Sequence, residues 1–221
     1  MEFTGVLEHA GGVEAARLPV DWARSAKLGG HMILMVANGA GSARACAAVD
    51  AAVEAFHPEA VVSAGFCGAL DPDLDIAAVV VGACIAAGGR RHPVLPITSA
   101  APHRVGTICS IDHVAQTAWE KEQLRATGAV AVEMEAAGVA ASAQGHGLPF
   151  YCVRTVTDLA DENMANDFNA ALRPDGHFGT MHILGKCVRH PMDRLPELIR
   201  LRKRCAWASR TLGEFFVDCR F

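Results

Sequence analysis

Short apolar runs, separated by loops rich in glycine or acidic residues, recur along the chain. The first clear run covers residues 31–37, and its nearly continuous apolar side chains are typical of a strand covered on both faces. Further apolar runs predict strands at 60–70 (where the run enters a glycine-containing loop), 77–85, 105–109, 129–131 and 148–157. Residues 1–30 show no clear period, so we predict little regular structure there.

Between these runs the apolar positions follow a helical period. Helices are predicted at about 43–57, 114–126, 136–144, 166–172, 178–189 and 192–216. The Gly-, Arg- and Pro-rich segment 88–102 is predicted as an irregular connection. The alternation of strands and helices predicts an α/β layered fold. We expect a single domain over 1–221, with a C-terminal helical extension at about 176–217.

A glycine-containing loop joins the first predicted strand to the first long helix. Its sequence is Asn38-Gly39-Ala40-Gly41-Ser42. A strand, a glycine loop and a helix in this order present free backbone N–H groups and a positive dipole end to an anion or polar ligand. The alternative is a tight turn that needs glycine only for its backbone angles.

Two predicted strand ends carry acidic residues. Glu133 and Glu135 flank Met134 between one strand and the next helix, and Asp158 ends the last strand, with Asp161 close behind. Such junctions lie at the rim of a sheet, where ligands bind in α/β proteins. The glutamates could instead only stabilise the positive end of the following helix. Acids at both strand ends favour a ligand site.

Composition excludes several classes of function. The 221 residues carry a net charge of −4 with pI ≈ 6.2, which gives no basic excess for nucleic acid. Eight cysteines occur without a C-x-x-C pair or a cluster with zinc-ligand spacing, so we expect small buried thiols in a reducing compartment and no metal. The N-terminus lacks the pattern of a signal peptide. We therefore predict a cytoplasmic protein.

The C-terminal predicted helix, 192–216, is amphipathic and basic. One face carries leucine, isoleucine and phenylalanine, and the other carries five arginines and lysines between 194 and 204. Such a helix usually packs its apolar stripe on the core. Contact with an anionic membrane surface is the alternative, and we favour packing.

Three motifs in order carry a family resemblance: S-A-G-F-C-G-A-L (63–70), A-V-E-M-E-A-A-G (131–138) and V-R-T-V-T-D-L-A-D (153–161). Together they resemble the purine nucleoside phosphorylase/uridine phosphorylase superfamily, and within it most the methylthioadenosine/S-adenosylhomocysteine nucleosidases. The segment A-L-R-P-D-G (171–176) and the basic helix after it resemble the hopanoid-associated branch, which acts on adenosylhopane. The resemblance implies a three-layer phosphorylase-type fold, with a mixed, twisted central sheet flanked by helices.

The resemblance also implies cleavage of the N-ribosidic bond of a purine nucleoside. It places Glu135 as the acceptor for the ribose 2′- and 3′-hydroxyls and Met134 as an apolar contact of the sugar. Asp158 would protonate purine N7, and Thr157 would orient Asp158. A free Asp has a pKa of about 3.9, so this role requires burial, a nearby carboxylate or the bound base to raise it.

Further candidate substrate contacts follow from the same resemblance. Where the nucleosidases stack the base on a phenylalanine, this chain has Val114 beside His113. Phe150 and Tyr151, in the last strand, are also candidates. Glu133 is interpreted as structural or as a neighbour of the substrate residues.

The nucleophile is the least defined part of the resemblance. Family phosphorylases carry an arginine for phosphate where this chain has Ser63, so water is favoured over phosphate as the nucleophile. Gly65 and the 38–42 loop complete the candidate nucleophile or anion site. The resemblance implies an N-terminal glutamate that positions the water. Glu8 and Glu14 are the candidates, neither in a convincing motif.

We therefore expect hydrolysis, rather than phosphorolysis, of an adenine-type nucleoside that can carry a bulky 5′ group. The alternative is a catalytically inactive nucleoside-binding or scaffold protein, since one fold supports many functions. No cofactor is expected, apart from phosphate as a co-substrate if the reaction is phosphorolysis. The resemblance implies a homo-oligomer.

Overall fold

Strands and helices alternate along most of the chain, and the computed structural model describes residues 2–179 and 191–221. The strands are β1 (Gly11–Ala15), β2 (Trp22–Leu28), β3 (His31–Ala37), β4 (Val61–Ala69), β5 (Val79–Ala87), β6 (Arg90–Pro93), β7 (Arg104–Ser110), β8 (Ala129–Glu133) and β9 (Phe150–Asp158). The helices are α1 (Thr4–His9), α2 (Ser42–Phe56), α3 (Ala118–Arg125), α4 (Ala136–Gly145), α5 (Phe168–Ala171) and α6 (Pro191–Asp218).

Six strands form the central sheet in the order β6-β5-β7-β8-β4-β9. Strand β9 also pairs with β5, so five of these strands close on themselves. The β4–β9, β5–β7 and β7–β8 pairs are parallel, whereas the β4–β8, β5–β6 and β5–β9 pairs are antiparallel. The mixed sheet expected from the family resemblance is therefore confirmed. Apolar side chains of the sheet pack together with apolar side chains of α2 and α4 and form the largest core cluster.

The N-terminal segment is more regular than the sequence predicts. Helix α1 precedes a three-stranded antiparallel sheet in the order β1-β2-β3. The expectation of little structure before residue 30 is wrong because these elements are short and β1 is exposed along its whole length. Neither feature produces a clear apolar period.

A wide cleft separates the two sheets. Within the described residues β3 pairs only with β2, and β4 pairs with β8 only at its last two residues. The cleft between β3 and β4 has a volume of about 1940 Å³, and the apolar face of α2 contributes to its wall. Helix α2 thus connects two strands that are not paired with each other.

The long C-terminal helix α6 packs against the rest of the chain. Its apolar residues Leu212 and Phe215 are 0% and 1% exposed and join a core cluster with β5 and β9. The expectation that the helix packs on the core is confirmed for this part. No helix among residues 2–179 and 191–221 is long and apolar enough to cross a membrane.

Two other sequence expectations differ from the structure or fall outside it. The segment 88–102 contains β6, which forms an antiparallel hairpin with β5. An edge strand tolerates charged residues and proline, so it need not show an apolar pattern. The sequence of β6, Arg90-Arg91-His92-Pro93, therefore does not predict a strand. Most of the helix predicted at 178–189 lies outside the described residues.

Candidate active site

The carboxyl ends of β8 and β9 lie on either side of β4. Gly68 in β4 pairs with Val132 of β8 and with Asp158 of β9. The residue that follows Val132 is Glu133, so two strands bring acidic residues to one edge of the sheet. This is the juxtaposition expected from the two acidic strand ends in the sequence.

Glu133 and Arg154 form a buried ion pair. Arg154 Nη2 donates to Glu133 Oε2 over 2.6 Å, and the two side chains are 2% and 1% exposed. The same carboxylate oxygen accepts hydrogen bonds from the N–H groups of Glu135 (2.9 Å) and Ala136 (2.8 Å) at the start of α4. Arg154 also donates to Ser63 Oγ over 2.8 Å. This arrangement supports the structural interpretation of Glu133, which holds the β8–α4 junction.

Arg154 is not among the residues that the sequence analysis predicts for the site. Its signal is nevertheless present, because it is the single charged residue within the otherwise apolar run 148–157. A fully buried arginine requires an anionic partner. The sequence alone does not show which carboxylate that partner is.

Glu135 is the N-cap residue of α4, and its side chain faces the glycine loop. Its Oε1 accepts a hydrogen bond from the Gly41 N–H over 3.0 Å. Gly41 has φ 107°, a conformation that glycine adopts without strain. Burial, reinforced by the neighbouring Glu133 charge, raises the pKa of Glu135 to about 7. Its remaining lone pairs can accept hydrogen bonds from a polar ligand such as a ribose.

A third carboxylate reaches this region from the N-terminal segment. Glu2 Oε1 accepts a hydrogen bond from the Phe66 N–H over 3.3 Å. A β-carbon built on Gly65 would lie 2.9 Å from Glu2 Oε1 and 3.7 Å from Arg154 Nη1, so Gly65 provides space for both charged groups. Burial and the charge of Glu133 raise the pKa of Glu135 more strongly, and the charge of Glu2 raises it further.

Glu2 lies at the cleft, whereas the two glutamates named from the sequence as candidates for positioning the water do not line it. Glu8 at the end of α1 and Glu14 in β1 are both exposed and away from the acidic edge. The sequence analysis overlooks Glu2 because the N-terminal segment shows no period that would place it. Only the packing of α1 beside α6 and β4 brings it to the cleft.

Asp158 is held by groups from three elements. Its Oδ2 accepts from Lys121 Nζ of α3 over 2.6 Å, and its Oδ1 lies 3.1 Å from Thr157 Oγ1. A β-carbon on Gly68 would lie 2.7 Å from Oδ2, so glycine is required opposite the acid. Burial raises the pKa of Asp158 although Lys121 acts in the opposite direction. The burial that an acid catalyst needs is therefore present.

Met134 and both candidate catalytic acids line the same cleft. Met134 is 9% exposed and lies between the two glutamates of the motif. Glu135, Asp158 and Thr157 open onto the cleft from the sheet edge. The arrangement provides two acids with raised pKa values and one flexible apolar side chain, which suits a polar ring with an apolar face.

Two N–H groups of the 38–42 loop, those of Ala40 and Gly41, are not free to bind an anion. The Gly41 N–H is donated to the Glu135 carboxylate, and the Ala40 N–H is donated to the Gly176 carbonyl over 2.8 Å. The Asn38 side-chain amide donates to the Arg44 carbonyl over 3.1 Å. The expectation of an anion loop is therefore wrong for these groups, because protein acceptors already use them.

The other residues predicted for the anion site support their neighbours. A β-carbon on Gly39 would lie 3.1 Å from the Asp175 carbonyl oxygen, so this glycine permits the 173–176 turn to cover the loop. Ser63 is 4% exposed and bound to Arg154. Gly65 leaves room for Glu2.

His113 and Val114 line the cleft, but their polar groups are engaged. His113 Nδ1 lies 2.7 Å from Asp112 Oδ1 and its Nε2 lies 2.6 Å from Glu120 Oε1. Hydrogen bonds to these two carboxylates raise the pKa of His113. The Val114 N–H donates to Asn169 Oδ1 over 2.7 Å, and its carbonyl accepts from Asn169 Nδ2 over 2.9 Å. The Val114 side chain is what remains for contact with a base.

Phe150 and Tyr151 do not lie beside the acids. They begin β9 whereas Asp158 ends it, a separation of roughly 23 Å at the rise of an extended strand. Phe150 is 6% exposed in the main core, and Tyr151 packs edge-on against Phe221. Phe150 therefore lies in the core and Tyr151 lines the cleft away from the acids, and their assignment as substrate contacts stays a prediction.

Within residues 2–179 and 191–221, no group of three or more His, Cys, Asp or Glu side chains is arranged to hold a metal ion. The seven cysteines of these residues are all free thiols.

Fold and site define an α/β protein whose cleft is bordered by buried acids at two strand ends. The chain matches the family described as the phosphorylase superfamily over residues 23–102 and 85–174. It belongs to this superfamily, as the three sequence motifs indicate. Among curated proteins, the 5′-methylthioadenosine/S-adenosylhomocysteine nucleosidase of Tolumonas auensis is 26% identical over 176 residues, which cover 66% of this chain and 76% of the relative.

Solved structures show the same fold. A futalosine hydrolase mutant of Helicobacter pylori strain 26695 superposes with a TM-score of 0.71 at 18% identity, covering 97% of this chain and 91% of the other. An S-adenosylhomocysteine nucleosidase from Streptococcus pyogenes, in complex with 5-methylthiotubericidin, gives a TM-score of 0.67 at 20% identity, covering 96% and 92%. The phosphorylase-type fold expected from the sequence is thus confirmed.

Proposed function

We propose that this protein hydrolyses the N-ribosidic bond of an adenine-type nucleoside. The observation that carries the proposal is the pair of buried acids, Glu135 and Asp158, which border one cleft from two strand ends. The nucleosidase relatives support the choice of reaction. Each acid has a distinct local environment, and environments that differ in this way separate the roles of two carboxyl groups.

Asp158 is suited to be the general acid. As the bond between the anomeric carbon and the base nitrogen breaks, its electron pair passes to the purine, which takes a proton at N7. Burial raises the pKa of Asp158, and a raised pKa favours the protonated carboxyl group that this role requires. The proton leaves Asp158, which becomes a carboxylate beside Lys121.

Glu135 and Glu2 are suited to the sugar and the water. The positive charge that develops on the ribose ring is stabilised by nearby carboxylates. Glu135 accepts hydrogen bonds from ribose hydroxyls, and charge strengthens such bonds. Glu2, on the other side of Gly65, binds the attacking water and takes its proton as the new carbon–oxygen bond forms.

Local electrostatics favour water over phosphate. Two carboxylates, Glu2 and Glu135, lie where a phosphate would have to approach, and like charges repel strongly in a buried site. The two buried cations nearby are committed, since Arg154 is paired with Glu133 and Lys121 with Asp158. The N–H groups of Ala40 and Gly41 in the 38–42 loop also have protein acceptors.

The cleft extends well beyond the space that a nucleoside needs, at about 1940 Å³. Apolar side chains of β3 and α2, including Leu34, Val49 and Val53, line this extension. We propose that it receives an apolar 5′ substituent, which agrees with the hopanoid-associated resemblance of the 171–176 segment. Ala52→Phe places a larger side chain on the apolar wall and so narrows this part of the cleft. It should lower kcat/KM for a 5′-octylthio-adenosine about tenfold and change kcat/KM for adenosine by no more than about twofold.

Release of free adenine tests the reaction. The protein is incubated with adenosine, methylthioadenosine and a 5′-octylthio analogue, with and without phosphate, and the products are separated by chromatography. Asp158→Asn should slow adenine release at least about a hundredfold, the lower range for general acid catalysis. The matched control is Asp161→Asn, which changes an exposed acid of the same loop and should leave the rate unchanged.

Each other outcome points to a different function. Adenine release that requires phosphate, with ribose 1-phosphate as the second product, would show phosphorolysis instead. Calorimetric binding of adenosine without any turnover would favour the non-catalytic nucleoside-binding protein. A rate that Asp158→Asn does not change would overturn the acid assigned to the reaction.

Location and assembly remain predictions from the sequence. We propose a cytoplasmic homo-oligomer that binds a small nucleoside and no nucleic acid. Light scattering coupled to size-exclusion chromatography measures the oligomeric state. Sedimentation with anionic liposomes tests whether the basic residues of α6 also contact a membrane surface, and we expect no sedimentation because part of its apolar stripe is already packed.

A further inference from the structure

Lys121 is a buried lysine that directly contacts the proposed acid. Its side chain is 0% exposed, and its Nζ donates to Asp158 Oδ2 over 2.6 Å. A second hydrogen bond of 2.5 Å reaches the carbonyl of Leu159, the residue directly after the acid. Lysine is almost never fully buried without a specific partner. The ammonium group therefore fixes both the side chain of Asp158 and the backbone that follows it.

These contacts distinguish the two oxygens of the Asp158 carboxyl group. An ammonium group can only donate, so Oδ2 must remain an acceptor in every protonation state. The other oxygen, Oδ1, lies 3.1 Å from Thr157 Oγ1, and that hydroxyl lies 3.3 Å from the Cys67 carbonyl. A proton on Oδ1 can therefore be accepted by Thr157, whose own hydroxyl proton turns to Cys67.

We propose that Lys121 is the positioning residue that places the transferable proton of Asp158 on Oδ1 and stabilises the carboxylate left after the proton has moved to the base. This inference rests on the proposed nucleoside hydrolysis. In the transfer, the Oδ1–H bond breaks as the purine N–H bond forms, and the negative charge that remains is paired with Lys121. No other reactant is needed.

Anchoring beyond the pair keeps the arrangement in place. The Leu159 N–H donates to Glu162 Oε2, and Arg204 of α6 binds both oxygens of Glu162 over 2.6 and 2.8 Å. Helix α3 is itself capped by Thr117, whose hydroxyl accepts from the Glu120 N–H. Lys121 thus joins α3 to the loop that α6 holds.

The ionisable groups around Asp158 come from several elements. Lys121 faces it from α3, Glu162 from the loop after β9, and Arg204 and Cys205 from α6, while Cys67 of β4 lies on the sheet side. Lys121 lowers the pKa of Asp158 more than Glu162 raises it. Removing Lys121 should therefore raise the pKa of Asp158 by about one to three units, the usual effect of one close opposite charge.

Sequence signals for Lys121 are present but weak. It lies three residues before Leu124, which packs on a core cluster, so both occupy the same face of α3. A lysine on the buried face of a helix requires a carboxylate partner. The sequence analysis does not predict it because nothing in the residue order links 121 to 158.

Two variants separate the charge of Lys121 from its hydrogen bond. Lys121→Met removes both, whereas Lys121→Gln retains a neutral donor. Lys203→Met on the exposed side of α6 is the control for the loss of a lysine. The first measurement is a carboxyl ¹³C NMR titration of Asp158, with the resonance assigned by its absence in Asp158→Asn. The second is the pH profile of kcat and KM for adenine release.

In Lys121→Met we expect the Asp158 titration to move up by at least about one pH unit. Activity requires the protonated acid, so the alkaline limb of kcat/KM should move up by the same amount. The plateau of kcat should fall about tenfold or more while KM stays within about twofold, since the proton is no longer confined to Oδ1. Lys121→Gln should show the same shift and a smaller loss of kcat.

An unchanged titration and an unchanged pH profile in Lys121→Met would overturn the proposal, and so would a loss confined to KM. If Lys121→Met does not fold, Lys121→Gln decides by the same two measurements. If the unaltered protein releases no adenine from any nucleoside, the proposed function fails, and with it the catalytic role of Lys121. The NMR titration would then report only on the ion pair, so the two failures are distinguishable.

Discussion

Two buried ion pairs flank β4, and they differ in how far their carboxyl groups are exposed. In the Glu133–Arg154 pair both side chains are nearly inaccessible, at 1% and 2% exposure. In the Asp158–Lys121 pair the lysine is 0% exposed, but the acid is 13% exposed and reaches the cleft. The first pair borders the cleft with almost no exposed surface, whereas the carboxyl group of the second pair is accessible to a ligand. Chemically similar pairs thus differ in the exposure of their carboxyl groups.

Replacement of the cation in each pair should give the largest difference in stability between the two pairs. Arg154→Met leaves a buried carboxylate without its partner, which typically costs about 3–5 kcal/mol of stability. Lys121→Met should cost less, since Asp158 borders the cleft and can become protonated. Chemical denaturation at pH 7 measures both. Equal losses in the two variants would contradict the distinction between a sealed and an open pair.

A second substitution sharpens this result. Adding Glu133→Gln to Arg154→Met removes the uncompensated charge, so part of the lost stability should return. Glu133→Gln alone should also destabilise the protein, because Arg154 then lacks its anion. If the stability lost in the double variant equals the sum of the losses in the two single variants, the two residues do not act as a pair.

Glu135 lies beside the sealed pair but opens to the cleft, and its effect should depend on pH. Its pKa is raised to about 7 in the folded protein, chiefly by burial, from an ordinary 4.5. A raised pKa means that the contribution to stability is present below pH 4.5 and is lost as the pH rises through about 7. Between pH 5 and pH 8 the Tm of Glu135→Gln should therefore fall by about 5 °C less than the Tm of the unaltered protein. Equal slopes in both proteins would contradict the raised pKa.

Gly68 separates the two pairs, and a methyl group there should disturb only the open one. The added carbon of Gly68→Ala would lie 2.7 Å from Asp158 Oδ2, which must move away from Lys121. We expect kcat/KM for adenine release to fall about tenfold, in the range expected for small displacements of a catalytic group. The control is Gly145→Ala, which has nothing within 4 Å. Unchanged activity in Gly68→Ala would show that the position of Oδ2 is not critical.

A third ion pair, Glu162–Arg204, is partly exposed and should matter least. Its side chains are 27% and 19% exposed, so solvent screening limits its value to about 0.5–1 kcal/mol. The hydrogen bonds from Arg204 lower the pKa of Glu162 to about 2. This stabilisation is present above the ordinary pKa and is lost as the pH falls towards 2. Arg204→Met should lower the Tm by about 2–4 °C at pH 7 and by less at pH 3.

The fold could be predicted in large part because long apolar runs and helical periods survive in the sequence. Strands β3, β4 and β9 and helix α2 lie close to their predicted ranges. Elements with a weak or mixed pattern were beyond such prediction, namely the exposed β1 and the arginine-rich β6. A periodic pattern of apolar residues reflects burial, so an exposed element at the edge of a sheet shows no clear pattern in the sequence.

The site was predictable where one short motif contains it. Glu133, Met134 and Glu135 occupy one strand–helix junction, and the acid of the third motif ends the adjacent strand. Phe150 and Tyr151 show the limit of this reasoning, because membership of the same strand does not place a residue at the same end. The 38–42 loop was also not predictable in detail, since the acceptors for the N–H groups of Gly41 and Ala40 come from residues 135 and 176.

The amino-acid sequence by itself determines the superfamily, the α/β alternation and the presence of acids at two strand ends, because these depend on local order and short motifs. The tertiary structure alone decides which cation each acid meets. Arg154 lies 21 residues from Glu133, and Lys121 lies 37 residues from Asp158. Such pairings are set by strand register and helix packing, and no local pattern encodes them. For the same reason Glu2 becomes a candidate for the nucleophilic water only when α1 packs beside β4 and α6.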